Sequence, residues 1–139
     1  MSITKETLAL THAGVMIALQ AAIAHAEEIQ VPQCIVLVDP SGETLATFRM
    51  DGAKYLSMHT ARSKARTAAS INAPTGAMNV EFGVAAGIAS QGGVTHLPGG
   101  LPIRFNGNLV GAIGVGSGTG DQDFAVARAA LAAIGAEPV

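Results

Sequence analysis

The sequence predicts an α+β fold in which an antiparallel β-sheet is flanked by α-helices. Two pairs of apolar segments are each joined by a turn signal, Asp39-Pro40-Ser41-Gly42 in one and Asn106-Gly107 in the other, which is the pattern of β-hairpins. Helical hydrophobic spacing occurs before, between and after these pairs. The length of 139 residues is that of one domain, so residues 1–139 are expected to fold as a single unit.

The first half of the chain predicts one helix followed by one hairpin. An alanine-rich helix is predicted over residues 4–29, with Ser2 or Thr4 as its N-cap. Spacings of three and four give it an apolar stripe. That stripe contains Leu8, His12, Val15, Leu19, Ala22 and Ala26. Strands over residues 33–38 and 43–50 then form the first hairpin.

A second helix is predicted over residues 53–71. Its narrow line of small apolar residues permits close packing against a neighbour. That line contains Met58, Ala61, Ala65 and Ala68. A shorter helix is predicted over residues 78–89, with an apolar line through Met78, Phe82, Ala85 and Ala89.

The last part of the chain predicts a short segment, a hairpin and a final helix. Val94–Leu97 is counted as a short strand between glycine-rich and proline-rich loops. Residues 103–105 and 109–115 form the clearest hairpin. A helix over 121–135, capped by Asp121 or Asp123, completes the order α-β-β-α-(α)-β-β-β-α.

The composition excludes several classes of protein. Hydrophobic residues make up 49% of the chain and charged residues 13%, which is the opposite of a disordered composition. The net charge of −2 gives no general basic surface for nucleic acid. So few charges indicate that part of the exterior is buried against other copies of the chain. The single cysteine, Cys34, cannot form an internal disulfide and is expected to be a small core residue.

The charge-free run Thr7–Ala26 resembles a secretory signal peptide, with Ala24-His25-Ala26 as a small-residue cleavage site. Glu6 beside Lys5 and the polar residues that interrupt the run favour an amphipathic helix instead. The same polar residues argue against a membrane-spanning helix. We therefore expect a cytoplasmic protein without a membrane partner.

The histidines are the residues best suited to chemistry near neutral pH. His12 lies on the apolar stripe of the first helix, whereas His25 faces away from it. His59 opens a basic turn that continues with Arg62, Lys64 and Arg66, and such a cluster is either a solvated face or a carboxylate-binding one. His96 precedes Pro98-Gly99-Gly100, whose backbone amides suit an oxyanion. His59 and His96 are therefore the leading candidates.

A second glycine series, Gly114–Gly120, does not predict nucleotide binding. The dinucleotide fingerprint needs a following parallel strand that ends in an acidic residue, and the chain ends with a helix instead. The series also has no Walker lysine.

Five stretches of the chain, in the same order, resemble the GlcG/HbpS family (DUF336) of bacterial haem-degrading domains, similar to the C-terminal domain of the corrinoid adenosyltransferase PduO. They are Val36–Gly42, Phe48–Ala53, Ala61–Ala68, Pro98–Ile103 and Gly107–Val115. The resemblance implies one profilin-like domain that assembles into dimers and octamers, and haem bound through a histidine in some members. The chain departs from the family at Gly116-Ser117-Gly118, where members have Ser-Gly-Gly, and at His59, where members have an aliphatic residue or Asp.

The leading prediction is a small homo-oligomeric protein that binds haem or a related tetrapyrrole. His12, His59 or His96 would ligate the iron, while Arg49, Arg62 and the Pro98-Gly99-Gly100 segment would hold the ligand.

One alternative is an enzyme of isomerase, lyase or hydrolase type acting on a small carboxylated or oxygenated metabolite. His59 or His96 would be its general base, and Lys64 would hold the substrate anion. The other alternative is an accessory structural subunit.

Overall fold

A computed structural model describes residues 1–139 and contains four helices and four strands. They are α1 (His12–Glu28), β1 (Cys34–Val38), β2 (Thr44–Arg49), α2 (Ser57–Ile71), α3 (Val80–Ala89), β3 (Gly100–Phe105), β4 (Asn108–Gly116) and α4 (Gly120–Ala133). The predicted α+β class with an antiparallel sheet is confirmed. The expected extra strand at Val94–Leu97 is wrong, because side chains hold its backbone: Val94 N–H donates to Ser90 Oγ and Thr95 N–H donates to Thr67 Oγ1.

The four strands form one sheet in the order β2-β1-β4-β3, with every neighbouring pair antiparallel. Both predicted hairpins are present. Asn106 and Gly107 have φ values of 51° and 75°, the positive values that a tight two-residue hairpin turn requires. β3 begins at Gly100, earlier than predicted, and includes Pro102, which is tolerated because β3 is an edge strand.

The two faces of the sheet bury different helices. Ile35, Leu37 and Ile113 belong to the larger core cluster, which α1 and α4 cover. The opposite face contacts α2 through a smaller cluster that consists of Cys34, Val36, Val38, Ala61, Ala65, Ala68, Ala69 and Ala112. The predicted line of small residues on α2 therefore permits its close approach to the sheet, as expected.

The predicted start of the first helix is wrong. α1 begins at His12 rather than residue 4, because the Thr11 side chain accepts a hydrogen bond from Gly14 N–H at 3.1 Å and caps the helix there. Neither Ser2 nor Thr4 serves as the cap, since the Ser2 hydroxyl donates to the Thr4 carbonyl.

The caps of the other helices also differ from expectation. α4 is capped by Thr119, whose side chain and that of Gln122 form a capping box, so neither Asp121 nor Asp123 is its N-cap. Asp123 is instead buried inside the protein. The predicted start of the second helix is also wrong, because α2 begins at Ser57, four residues after residue 53.

α3 is the least integrated element. It contacts no other helix or strand, and its predicted apolar line is not buried, because Phe82 and Ala85 are exposed. Only Gly83 is buried, under His96 of the following loop. None of the four helices combines the length and apolar character needed to cross a membrane.

Candidate functional site

A polar cleft of about 240 Å³ opens between α2, the loop before β3 and the start of α4. Three short segments position its lining: the start of α2, the Leu97-Pro98 turn and the β4–α4 connection. The lining residues are Lys54, Ser57, Thr60, Lys64, Leu97, Pro98, Ser117, Gly118, Gly120 and Asp123. We call this the polar cleft.

An ion pair forms the floor of the polar cleft. Lys64 Nζ lies 2.9 Å from Asp123 Oδ2 and donates to the Val115 carbonyl at 2.8 Å. Lys64 and Asp123 are only 5% and 2% exposed, so each charge depends on the other for compensation. The pair joins α2, β4 and α4 at one point.

Asp123 is held by donors on both carboxylate oxygens. Its Oδ1 accepts a hydrogen bond from Gly118 N–H at 3.0 Å, and the Gln33 amide, turned with its nitrogen toward Asp123, donates to Oδ1 at 2.9 Å. Burial raises the pKa of Asp123, and the bonds from Lys64, Gly118 and Gln33 oppose that rise.

Glycine at position 99 allows the chain to pass directly over the ion pair. Gly99 has a φ of +123°, and a Cβ there would lie 2.7 Å from the Val115 carbonyl and 3.0 Å from Lys64 Nζ. Gly100 is also buried, and its N–H donates to Thr75 Oγ1 at 2.9 Å. The predicted Pro98-Gly99-Gly100 segment thus lies at the cleft, with the Gly100 amide already engaged.

A second depression of about 370 Å³ adjoins the polar cleft and shares Lys54, Ser57 and Thr60 with it. Its outer part is formed by Tyr55 and Leu56, which are 70% and 67% exposed. We call this depression the shelf. Two exposed large apolar side chains side by side, next to a polar cleft, are typical of a surface that contacts a ligand or partner.

Ser117 holds the backbone of Lys54, the first residue along the chain that lines the shelf. It is a non-glycine residue with a φ of 92°, and its Oγ accepts a hydrogen bond from Lys54 N–H at 2.9 Å. Strained backbone of this kind persists where surrounding contacts hold it, and it occurs often at functional sites.

The candidate histidines lie in three different places. His59 is exposed, one helical turn after Leu56, and its Nε2 faces Gly92. His96 is half-buried against Gly83 of α3. His12 is exposed at the first turn of α1, so the predicted apolar stripe is not buried at this residue: the residues that α1 buries begin at Val15.

Neither His59 nor His96 lines the polar cleft that contains Lys64. The alternative of an enzyme in which a histidine base acts together with Lys64 stays a prediction. No group of three His, Cys, Asp or Glu side chains lies close enough together to hold a metal ion.

The basic turn of α2 divides between two sides of the helix. Arg62 is exposed and donates to Thr44 Oγ1 at 2.9 Å, and Arg66 is also exposed. Lys64 points inward, because residues two apart on a helix face opposite sides. Arg49 is exposed on β2, opposite Cys34 of β1, and does not line the polar cleft.

Cys34 is the small core residue that the sequence predicts. It is fully buried, and burial raises the pKa of its thiol.

Sequence reasoning missed most of the cleft lining. Asp123 is predicted from sequence only as a helix cap and Ser117 only as a departure from the family pattern, while Lys54, Ser57 and Thr60 are not predicted at all. One signal was available: Lys64 is three residues after Ala61 and four before Ala68, so it lies on the buried face of α2. A lysine on a buried face needs an acidic partner, which the structure identifies as Asp123.

The fold agrees with the comparisons to known proteins. The family described as haem degrading protein HbpS-like has a model that matches residues 10–132. The chain belongs to this family. The resemblance seen in the sequence motifs is thereby confirmed.

Curated relatives include the corrinoid adenosyltransferase PduO of Citrobacter freundii, 38% identical over 120 residues. The match covers 83% of this chain but only 36% of that protein, so the chain spans about a third of the length of PduO. An uncharacterised 15.0 kDa protein of C. freundii, from the dhaT-dhaS intergenic region, is 36% identical over 81% of this chain and 82% of its own length.

Solved structures of the same fold are closely similar. The Klebsiella pneumoniae protein ORFY has a TM-score of 0.91 at 31% identity and covers 97% of both chains. A complex of PduOC with haem has a TM-score of 0.86 at 29% identity, covering 94% of this chain and 99% of that one. HbpS has a TM-score of 0.82 at 36% identity, with 94% and 93% covered.

Proposed function

We propose that this protein binds haem or a related tetrapyrrole at the shelf, with His59 as the iron ligand. The observation that carries the proposal is an exposed imidazole one helical turn from two exposed apolar side chains, Tyr55 and Leu56. The haem complex of PduOC, which has the same fold, supports the choice of ligand class.

The donor set at the shelf fits a tetrapyrrole. A ring of this kind needs apolar contact for its faces, cations for its acidic groups and an imidazole for its metal. Tyr55 and Leu56 supply the apolar contact and Lys54 is a cation of the shelf lining. His59, one helical turn after Leu56, would supply the imidazole, and the exposed Arg62, one turn further along α2, would supply a second cation. When bound, haem would supply an iron centre for ligand binding or electron transfer.

The alternative iron ligands have less suitable surroundings. His96 is half-buried against Gly83 of α3, whereas His59 is exposed. His12 lies on α1, whereas His59 follows Leu56 of the shelf by one helical turn. Both residues enter the test as competing assignments.

The test is a titration of the protein with ferric haem, followed through the Soret band. We expect a shifted band in the wild type that His59→Ala abolishes. His25→Ala is the matched control, because His25 is the fourth histidine and lies near Glu28 on α1, with Nδ1 and Oε2 3.6 Å apart. It should leave the spectrum unchanged.

Three results would refute the proposal or its site. An unshifted Soret band in the wild type would refute haem binding. A wild-type spectrum in His59→Ala, with the shift lost in His12→Ala or His96→Ala instead, would refute the shelf as the site. A spectrum that survives all four substitutions would refute histidine ligation.

We further propose that a second copy of the chain covers α3 in a homo-oligomer. Val80, Phe82, Val84 and Ile88 are 61%, 62%, 50% and 76% exposed. A helix that is apolar on several sides is typical of buried helices, and α3 contacts no helix or strand of its own chain. In a symmetric dimer both copies use the same surface, so α3 of each copy would lie in the contact.

Light scattering coupled to gel filtration tests this assembly. Ile88→Glu should lower the measured mass relative to the wild type, because it places a charge in the apolar contact. Leu45→Glu, at an exposed apolar residue of β2, is the control and should leave the mass unchanged. A monomeric wild type, or an Ile88→Glu protein of unchanged mass, would show that α3 is not the contact between copies.

A further inference from the structure

A third depression, of about 280 Å³, lies between the β1–β2 turn, residues 66–70 of α2 and the segment that follows α3. Its lining includes Pro40, Ser41, Gly42, Arg66, Ser70 and Val94. We call this depression the arginine pocket. It shares no lining residue with the shelf or the polar cleft, so it is a separate feature of the surface.

Arg66 contributes the only charge in the lining of the arginine pocket. It takes part in neither of the two ion pairs of the chain. Its guanidinium also forms no hydrogen bond within the chain, in contrast to that of Arg62, which donates to Thr44 Oγ1. A guanidinium carries five N–H donors, and all of those of Arg66 are therefore available to a ligand.

The β1–β2 turn positions Arg66 at the wall of the pocket. Gly42 has a φ of +81°, and both Cγ and Nε of Arg66 lie 3.5 Å from the position that a Cβ on Gly42 would occupy. Asp39 holds this turn, because its Oδ1 accepts hydrogen bonds from Ser41 N–H at 2.8 Å and from Glu43 N–H at 3.0 Å. Since Gly42 itself lines the pocket, the contact at Nε places the guanidinium group beside the pocket wall.

Two hydroxyl groups add donors to this lining. Ser70 follows Arg66 by one helical turn, so the two side chains lie on the same side of α2. Neither Ser41 nor Ser70 uses its hydroxyl in a hydrogen bond within the chain, whereas the hydroxyls of Thr67 and Ser90 are bonded to backbone groups. The available donors suit the oxygen atoms of an anion.

The charges around the arginine pocket favour an anion with one negative charge. Arg66 supplies a single positive charge, and two acidic residues, Asp39 and Glu43, flank the lining at the turn. A dianion would exceed the charge of Arg66 and would be repelled by these carboxylates. A carboxylate carries one charge, and its two oxygens match two parallel N–H donors of a guanidinium.

We propose that the arginine pocket binds a small organic monocarboxylate, with the carboxylate on the Arg66 guanidinium and a short carbon chain against Pro40 and Val94. These two residues are the apolar part of the lining. A volume of about 280 Å³ is at the lower limit for a small-molecule site, so the ligand is short. This site does not depend on the proposed tetrapyrrole binding, because the two depressions share no residue.

The test compares propionate with propionamide, which is its neutral match in size. Each compound is titrated into isotope-labelled protein, and binding is followed by NMR through the backbone amide signals of Ser41, Gly42 and Val94. In the wild type we expect saturable shifts with propionate and at least about tenfold weaker binding of propionamide, the effect of losing a charge-assisted hydrogen bond.

Arg66→Gln should weaken propionate binding about tenfold or more, because it removes the guanidinium. Arg66→Lys keeps the charge but loses the parallel donors, so it should retain part of the affinity that Arg66→Gln loses. Ser70→Ala removes one hydroxyl and should have a smaller effect than Arg66→Gln. Arg128→Gln is the matched control, because Arg128 is an exposed arginine of α4 that does not line the pocket, and it should leave the Kd unchanged.

Inorganic phosphate, titrated in the same way, should bind more weakly than propionate. Tighter binding of phosphate would overturn the assignment of a carboxylate. Equal affinities for propionate and propionamide, or the absence of saturable shifts with propionate, would refute the site. Unchanged propionate binding in Arg66→Gln would refute Arg66 as the recognising residue. Amide signals outside the pocket verify that each variant is folded, which is expected because Arg66 and Ser70 are exposed.

Discussion

Replacing Lys64 by methionine is expected to destabilise the fold by about 3 kcal/mol at neutral pH, because it removes one partner of a buried ion pair. Methionine keeps most of the length and apolar contact of the lysine stem, so the change is mainly the loss of the ammonium group. Asp123 is left 2% exposed, without the cation that lies 2.9 Å from its Oδ2. Its bond from Gly118 remains, which places the cost at the low end of the usual range.

The expected shift in melting temperature follows from the size of the chain. Unfolding entropy is about 2.1 cal/mol/K per residue near 60 °C, which gives about 0.3 kcal/mol/K for a chain of this length. A loss of about 3 kcal/mol therefore lowers Tm by about 10 °C. Arg62→Met is the matched control, because Arg62 is an exposed cation on the same helix with a single bond to Thr44. It should cost less than about 0.5 kcal/mol.

The deficit of Lys64→Met should depend on pH. Burial already raises the pKa of Asp123, and the substitution removes the hydrogen bond and charge of Lys64 that oppose the rise. A carboxyl group with a raised native pKa stabilises the native state below its unfolded pKa, and that contribution is lost as pH rises through the native pKa. The variant should therefore lose most stability at neutral pH and least in acid.

The assay is a set of thermal melts of the wild type and both variants from acid to neutral pH, at fixed protein concentration. Equal Tm values for Lys64→Met and Arg62→Met at neutral pH would refute the reasoning. So would a cycle in which Lys64→Met and Asp123→Asn add within about 0.5 kcal/mol, because coupled partners cannot be additive.

Three further predictions concern backbone, capping and the thiol. Gly99→Ala should destabilise more than Gly135→Ala in thermal melts, because both residues have positive φ but only at Gly99 would a Cβ contact other atoms; equal losses would contradict this. Thr119→Ala should cost about 1 kcal/mol in denaturant unfolding and Thr4→Ala almost nothing, since Thr119 caps α4 and Thr4 caps no helix; the reverse order would be inconsistent with the observed cap. Cys34 should react with a thiol reagent only at the rate of unfolding, because the thiol is fully buried and its pKa is raised; rapid labelling of the native protein would disprove its burial.

The elements that sequence predicted well are specified by local chemistry. The hairpin at Asn106-Gly107 depends on two residues that accept positive φ, and both adopt it. The buried strand at residues 34–38 follows from a run of apolar residues between turn signals, and all five of its residues are buried.

The errors in the predicted elements occur where a side chain forms a hydrogen bond with the backbone. Leu8 continues the apolar spacing of α1 toward the N-terminus. The helix nevertheless begins only after its N-cap at Thr11, so Leu8 lies outside it. At Val94–Leu97, hydroxyl groups of Thr67 and Ser90 bond the backbone in place of a neighbouring strand. Helical spacing and strand propensity alone contain neither effect.

The site was the hardest part to predict, because its residues converge from separate segments. Lys64 and Asp123 are 59 positions apart, and no spacing rule joins them. The position of Lys64 on the buried face of α2 was the one local sign that such a partner exists. The shelf depends equally on tertiary structure, since Ser117 and Lys54 meet only in the folded chain.

The central claim is that His59 ligates a haem iron at the shelf formed with Tyr55 and Leu56. Crystals of the protein grown with haem, measured at the iron absorption edge, locate the metal directly. The proposal predicts one anomalous peak within bonding distance of the His59 imidazole, with the ring against Tyr55 and Leu56. A peak beside His12 or His96, or at no histidine, would contradict it.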